Sequence, residues 1–112
     1  MIKLWIDDVR PAPAGYVWVK TVNKALDWIS HCFCFCPEDR LEISLDHDAG
    51  DYAKKGGGDY IALLLELEKR YNLDKNWEDF LKTSVFFEIH SMNPVGVENM
   101  KRIIKHYQWH EV

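Results

Sequence analysis

Apolar runs and helix-period stripes alternate along the chain. Strand-like apolar runs lie at 2–6, 16–20, 41–45 and 85–90. Between and after them, apolar residues at helical spacing predict helices that begin after Thr21, Asp59 and Asn93, three residues suited to a helix N-cap. A weaker helical segment at 72–84 and a polar, glycine-rich loop at 46–58 complete the pattern.

This alternation of strand and helix predicts an α/β sandwich with a mostly parallel sheet. Short connections and right-handed crossovers give the strand order 2-1-3-4. The sequence contains no internal repeat and no interdomain linker, so residues 1–112 are expected to form a single domain.

Composition and charge limit the partners of such a domain. The chain is 47% hydrophobic and 29% charged, which is a globular balance. Its net charge of −4 argues against a surface for long nucleic acids but permits a nucleotide or a short strand end. No apolar run approaches the roughly 18 residues of a membrane span, and the start of the chain turns acidic too early for a signal peptide.

The three cysteines, Cys32, Cys34 and Cys36, alternate with phenylalanines in one segment. An odd number in one cluster argues against a disulfide framework and favours a reducing cytoplasm. Zinc ligands usually come as spaced pairs with a distant partner. We therefore expect these thiols to pack at a helix end.

Acidic residues follow two of the predicted strands. Asp7 and Asp8 follow the first strand, and Asp46 and Asp48 follow the third. The carboxyl ends of parallel strands form the ligand-binding edge of such sheets. Close carboxylates repel one another unless a cation neutralises them, and oxygen ligands suit Mg²⁺ or Mn²⁺. These acids are therefore predicted metal ligands; the alternative is that they only cap loops in solvent.

Two histidines lie at the same strand ends. His47 stands between Asp46 and Asp48, and His90 ends the fourth strand. Because imidazoles titrate near neutrality, one can accept a proton while the other donates one, as hydrolysis of a phosphodiester requires. Together with Asp46 they form the predicted catalytic set, with base and acid not distinguished. The alternative for either histidine is a metal ligand or a structural hydrogen bond.

A phosphate-binding site is predicted at the start of the last helix. Asn93 suits the N-cap, Gly96 lets a ligand approach the first turn, and Ser91 adds a hydroxyl group. Lys54 and Lys55 precede three glycines and could form a lid that carries positive charge to the substrate. A solvated flexible loop is the alternative for the two lysines.

Three segments of the sequence resemble a known family. "WIDDVRP", "ISLDHDAG" and "HSMNPVG" are similar to motifs of response-regulator receiver domains, and more closely to those of the cyclic-phosphate processing receiver-like family. The resemblance implies that Asp7 and Asp8 bind a metal, that Asp46 is equivalent to the phosphoacceptor and that Ser91 senses phosphate. It also implies a flavodoxin/receiver-like three-layer sandwich.

The sequence departs from a signalling receiver in two places. The helix expected between the first two strands is reduced to "RPAPAG", and the fifth strand, which should carry the receiver lysine, is missing or vestigial because only "WHEV" follows the last helix. We expect a metal-assisted phosphoesterase that processes cyclic phosphates on nucleotides or RNA ends. The alternative is a degenerate receiver that binds phosphate, a nucleotide or a protein without catalysis.

Overall fold

The computed structural model describes residues 1–50 and 58–112, which form seven strands and four helices. The strands are β1 (Ile2–Ile6), β2 (Val17–Val19), β3 (Leu41–Leu45), β4 (Asp48–Gly50), β5 (Gly58–Asp59), β6 (Val85–Ile89) and β7 (His110–Glu111). The helices are α1 (Val22–Phe35), α2 (Ile61–Leu73), α3 (Lys75–Thr83) and α4 (Pro94–His106).

Five parallel strands form the main sheet in the order β2-β1-β3-β6-β7. The predicted order of the first four strands is confirmed, and the fifth strand is vestigial because β7 has only two residues. No lysine lies in β7. The chain therefore has a receiver-like α/β fold without the receiver lysine on its last strand.

The segment predicted as a polar loop contains a second, small sheet. β4 and β5 pair antiparallel, with Asp48 opposite Asp59. These strands were not predicted, because they carry no apolar run. The hairpin places His47 and Asp59 near each other, since the Tyr60 N–H donates to the His47 carbonyl oxygen over 2.7 Å.

All four helices cover one face of the main sheet. The connections from β2 to β3, from β3 to β6 and from β6 to β7 run in the same direction across the sheet, so right-handed crossovers place their helices on the same side. The only connection in the opposite direction, between β1 and β2, contains no helix. A second helix layer, expected for a three-layer sandwich, is therefore absent from the part of the chain that the structure describes.

Strand alternation separates the two faces of the sheet. Leu4, Ile43 and Phe87 are fully buried beneath the helices. Their neighbours Trp5 and Glu88 lie on the opposite face, called here the open face, and remain partly or fully exposed. None of the helices within the described ranges is long and apolar enough to cross a membrane.

Thr21 caps α1 as predicted, whereas the N-cap of α2 is Tyr60, one residue after the predicted Asp59, and its side chain makes no capping bond. Thr21 Oγ1 accepts from the Lys24 N–H over 3.1 Å at the start of α1. Asp59 Oδ1 accepts from the Ile61 N–H over 3.1 Å at the start of α2. Cys32 is buried on α1, whereas Cys34 is exposed and Cys36 is partly buried.

Candidate active site

Strand register brings the candidate residues to one edge of the sheet. Ile6 pairs with Leu45, and Leu45 pairs with Ile89. The residues that follow these partners are Asp7, Asp46 and His90, so they lie side by side at the carboxyl ends of neighbouring strands. They lie close together because the three strands end at the same level of the sheet, directly after their apolar runs.

Three carboxylates form an acidic cluster, which comprises Asp7, Asp8 and Asp46. One oxygen of each lies within 4.8 Å of the others. Only 1% of Asp7 and 9% of Asp46 is exposed, and Asp8 is partly buried. Asp48, the fourth predicted ligand, is exposed and contacts His47 instead.

Hydrogen bonds stabilise the charged form of Asp7. Its Oδ1 accepts from the backbone N–H groups of Val9 and Arg10, each over 2.9 Å. Burial acts to raise the pKa of Asp7, but these hydrogen bonds and the contact with His90 outweigh it, so the pKa lies below the usual 3.8. Asp7 is therefore a carboxylate at neutral pH.

Asp46 has the opposite electrostatic balance. Burial raises its pKa above the usual 3.8, and the charge of Asp7 raises it further, although the His47 N–H donates to Asp46 over 2.8 Å. The fold thus leaves the Asp46 charge incompletely neutralised. A cluster of oxygen donors with such a charge fits a hard divalent cation.

His90 is held on three sides. Its Nε2 lies 2.9 Å from Asp7 Oδ2, and its Nδ1 lies 2.7 Å from Ser44 Oγ. Its ring stacks on Trp5 with centroids 3.7 Å apart. Burial lowers the pKa of His90 below the usual 6.5, although contact with Asp7 acts to raise it. Both ring nitrogens of His90 thus have hydrogen-bond partners within the protein, Asp7 and Ser44.

His47 lies against the start of α4. Its Nδ1 is 2.9 Å from Asp48 Oδ1, and its Nε2 is 3.6 Å from Asp59 Oδ2. A Cβ atom added to Gly96 would overlap the imidazole ring. The ring thus occupies the space that the missing side chain leaves.

The two histidines lie on different sides of the sheet edge. His90 contacts Trp5 and Ser44 of the open face, whereas His47 packs on Gly96 of α4, which lies on the helix-covered face. Strand alternation explains this difference, which was not predicted from the sequence: His90 continues the face of Glu88, and His47 continues the face of Leu45. The geometry does not support the pairing of His47 and His90 as base and acid across one phosphate.

The predicted phosphate-binding groups are largely used within the protein. Asn93 caps α4, because its Oδ1 accepts from the Gly96 N–H over 3.0 Å. Ser91 Oγ accepts from the Asn93 N–H over 3.1 Å, and a hydrogen bond with Ser91 acts to lower the pKa of Asp46. Lys54 and Lys55 lie outside the described residues.

Three further residues complete the site without having been predicted. Ser44 and Trp5 hold His90, and the Arg10 guanidinium donates to the His90 carbonyl oxygen over 3.1 Å. The position of Ser44, a polar residue within a largely apolar strand, was a sequence signal that it belongs to a site. Trp5 and Arg10 gave no such signal, because their contacts with His90 span most of the chain.

Comparison with family models matches residues 2–106 to the model described as cyclic-phosphate processing receiver domain. The matched range contains every predicted site residue. No match was found among curated proteins or among solved structures.

Proposed function

This chain belongs to the family of cyclic-phosphate processing receiver domains, and we propose that it is a metal-assisted phosphoesterase that opens cyclic phosphates on nucleotides or RNA ends. The acidic cluster carries this proposal. It combines buried carboxylates, one of them with a raised pKa, at the edge of the sheet where ligands bind in α/β folds.

Asp7, Asp8 and Asp46 would hold the cation, and Mg²⁺ or Mn²⁺ suits their oxygen ligands. A bound divalent cation supplies positive charge that offsets the negative charge of a phosphate. His90 keeps the Asp7 carboxylate in position, since its Nε2 contacts Oδ2 while Val9 and Arg10 bond to Oδ1.

His47 is the proposed proton-transfer group. In hydrolysis, the oxygen of water bonds to phosphorus, one ester P–O bond of the ring breaks, and the leaving oxygen gains a proton while water loses one. His47 can take part in this transfer because Asp48 orients its ring through Nδ1 over 2.9 Å, whereas its Nε2 lies 3.6 Å from Asp59 Oδ2, beyond hydrogen-bonding distance. His90 has no such freedom, because Asp7 and Ser44 already bond to its ring.

The direct test is incubation of the protein with 2′,3′-cyclic nucleotides, with and without Mg²⁺ or Mn²⁺. The proposal expects cation-dependent formation of a 2′- or 3′-monophosphate. Asp8→Asn is a suitable variant, since Asp8 is the least buried member of the cluster. Turnover that is equal with a cation and with a chelator would contradict the role of the metal.

A binding module without catalysis is the second candidate. One observation favours it: the His90 nitrogens, which were predicted to serve the substrate, have partners within the protein, and the His47 ring fills the space at Gly96 that was predicted to admit a ligand. If this candidate is correct, a cyclic nucleotide should bind saturably and should not be hydrolysed. Equilibrium binding and product analysis on the same samples separate the two functions.

A further inference from the structure

A cavity of about 470 Å³ lies at the edge of the sheet beside β2. Its lining residues are Trp18, Val19, Lys20, Thr21, Lys24 and Trp28. We call it the β2 cavity. Its volume is in the range of small-molecule sites.

The β2 cavity adjoins the acidic cluster through Asp7. The Trp18 indole N–H donates to the Asp7 carbonyl oxygen over 2.8 Å, and the Asp7 N–H donates to the Val19 carbonyl oxygen over 3.2 Å. Two lining residues therefore bond directly to a member of the cluster.

The chemistry of the β2 cavity is aromatic and positive. Trp18 is 39% exposed and Trp28 is 37% exposed, although tryptophan is a residue type that is highly buried on average. The ionisable side chains of the lining are Lys20 and Lys24, in a chain whose net charge is −4. The Lys20 amino group lies 4.6 Å from the Trp18 ring centroid, so charge and aromatic surface are adjacent.

The edge strand adds main-chain hydrogen-bonding groups. The Val19 carbonyl points towards β1, where it accepts from the Asp7 N–H. Peptide groups alternate in direction along a strand, so those of Trp18 point away from β1, towards the side of β2 on which no described strand pairs. A planar ligand against Trp28 could pair with these groups.

We propose that the β2 cavity binds one nucleotide residue of the substrate: its base stacks on Trp28, and its 5′ phosphate lies near Lys20 and Lys24. The inference rests on the proposed function, because it deepens the assignment of a nucleotide substrate. It identifies the preferred substrate as a single-stranded RNA end whose terminal nucleotide carries the cyclic phosphate. A cyclic mononucleotide without a 5′ phosphate would leave the lysines without a phosphate.

Binding of a labelled short RNA with a 3′-phosphate end, followed by fluorescence anisotropy, tests the base site without turnover. Trp28→Ala should weaken binding by about 10-fold, the usual scale for a lost base–aromatic stack, whereas Trp28→Phe should retain most of it. Phe35→Ala is the matched control, since Phe35 is exposed on the same helix. Equal dissociation constants for wild type and Trp28→Ala would overturn the proposal.

Salt dependence tests the phosphate site. Lys24→Gln should reduce the slope of log affinity against log salt by about 0.7, the value for one phosphate contact with a single strand. Lys69→Gln, which removes an exposed lysine of α2, should leave the slope unchanged. An unchanged slope in both variants would remove the lysine contact from the proposal.

Substrate comparison separates this inference from the proposed function. A 2′,3′-cyclic nucleotide with a 5′ phosphate, and an RNA with a cyclic end, should show lower KM than the same nucleotide without a 5′ phosphate. If all three are hydrolysed with one KM, the β2 cavity is not a subsite but the hydrolase function stands. If none is hydrolysed but Trp28→Ala still weakens RNA binding, the subsite stands and the hydrolase function fails.

Discussion

The Nε2 atom of His90 lies 2.9 Å from Oδ2 of Asp7, although the two residues are 83 positions apart. Asp7 is ionised at neutral pH, so the proton between them belongs to the imidazole, and Nδ1 accepts from the Ser44 hydroxyl over 2.7 Å. Burial lowers the pKa of His90, which favours this neutral form. This arrangement supports the proposed function of His90 as a positioning residue for Asp7, since both of its ring nitrogens bond within the protein.

The first prediction concerns stability against pH. The pKa of His90 is lowered from 6.5, so below that pH the unfolded chain binds a proton that the folded protein excludes. The contribution of His90 to the free energy of unfolding is therefore fully present above pH 6.5. It is lost as the pH falls through the pKa that His90 has in the folded protein. The melting temperature of wild type should be lower at about pH 5.5 than at about pH 7.5, and this decrease should be smaller in His90→Gln.

His106→Gln is the control for this measurement, because His106 is exposed at the end of α4. It should retain the full decrease of wild type. If His90→Gln and His106→Gln respond equally to acid, the hydrogen-bonded state of His90 is not the origin of the pH dependence.

The second prediction contrasts two carboxylates of one cluster. Asp46→Asn should preserve or raise the free energy of unfolding at neutral pH, because the fold raises the pKa of Asp46 and thus penalises its charge. Asp7→Asn should lower it by about 1–3 kcal/mol, since the donors to Asp7 lose a charged acceptor. Chemical denaturation of both variants measures these changes.

The same variants test the cation. Mg²⁺ and Mn²⁺ should raise the melting temperature of wild type, and Asp46→Asn should reduce that increase because one of three ligands loses its charge. Equal increases in wild type and Asp46→Asn would exclude a metal site at the acidic cluster.

The sequence predicts the location of the cluster but not the function of each histidine. Apolar runs that end before Asp7 and Asp46 were sufficient to place both acids at one edge. The neighbours of His47 were not predictable, because the contact with Gly96 depends on how α4 packs above the sheet. The open face follows from the missing helix between β1 and β2, once crossover handedness is applied.

The third prediction separates proton transfer from positioning. His47→Ala should reduce turnover of a cyclic phosphate by about 100-fold at any cation concentration, the usual scale for a lost acid or base. His90→Gln should instead weaken the apparent affinity for the cation, since Asp7 loses its support, and excess Mg²⁺ should restore turnover. Titration of Mg²⁺ in both variants shows the difference. Restoration of His47→Ala by Mg²⁺ would contradict the assigned roles.

The last prediction concerns Gly96, whose missing side chain leaves room for the His47 ring. Gly96→Ala should displace that ring and reduce turnover towards the level of His47→Ala. In the His47→Ala background the space is vacant, so Gly96→Ala should cause no further loss of turnover and should stabilise the protein by up to about 1 kcal/mol through helix propensity. A double-mutant cycle in turnover and in the free energy of unfolding measures both effects. Independent, additive losses would show that Gly96 does not position His47.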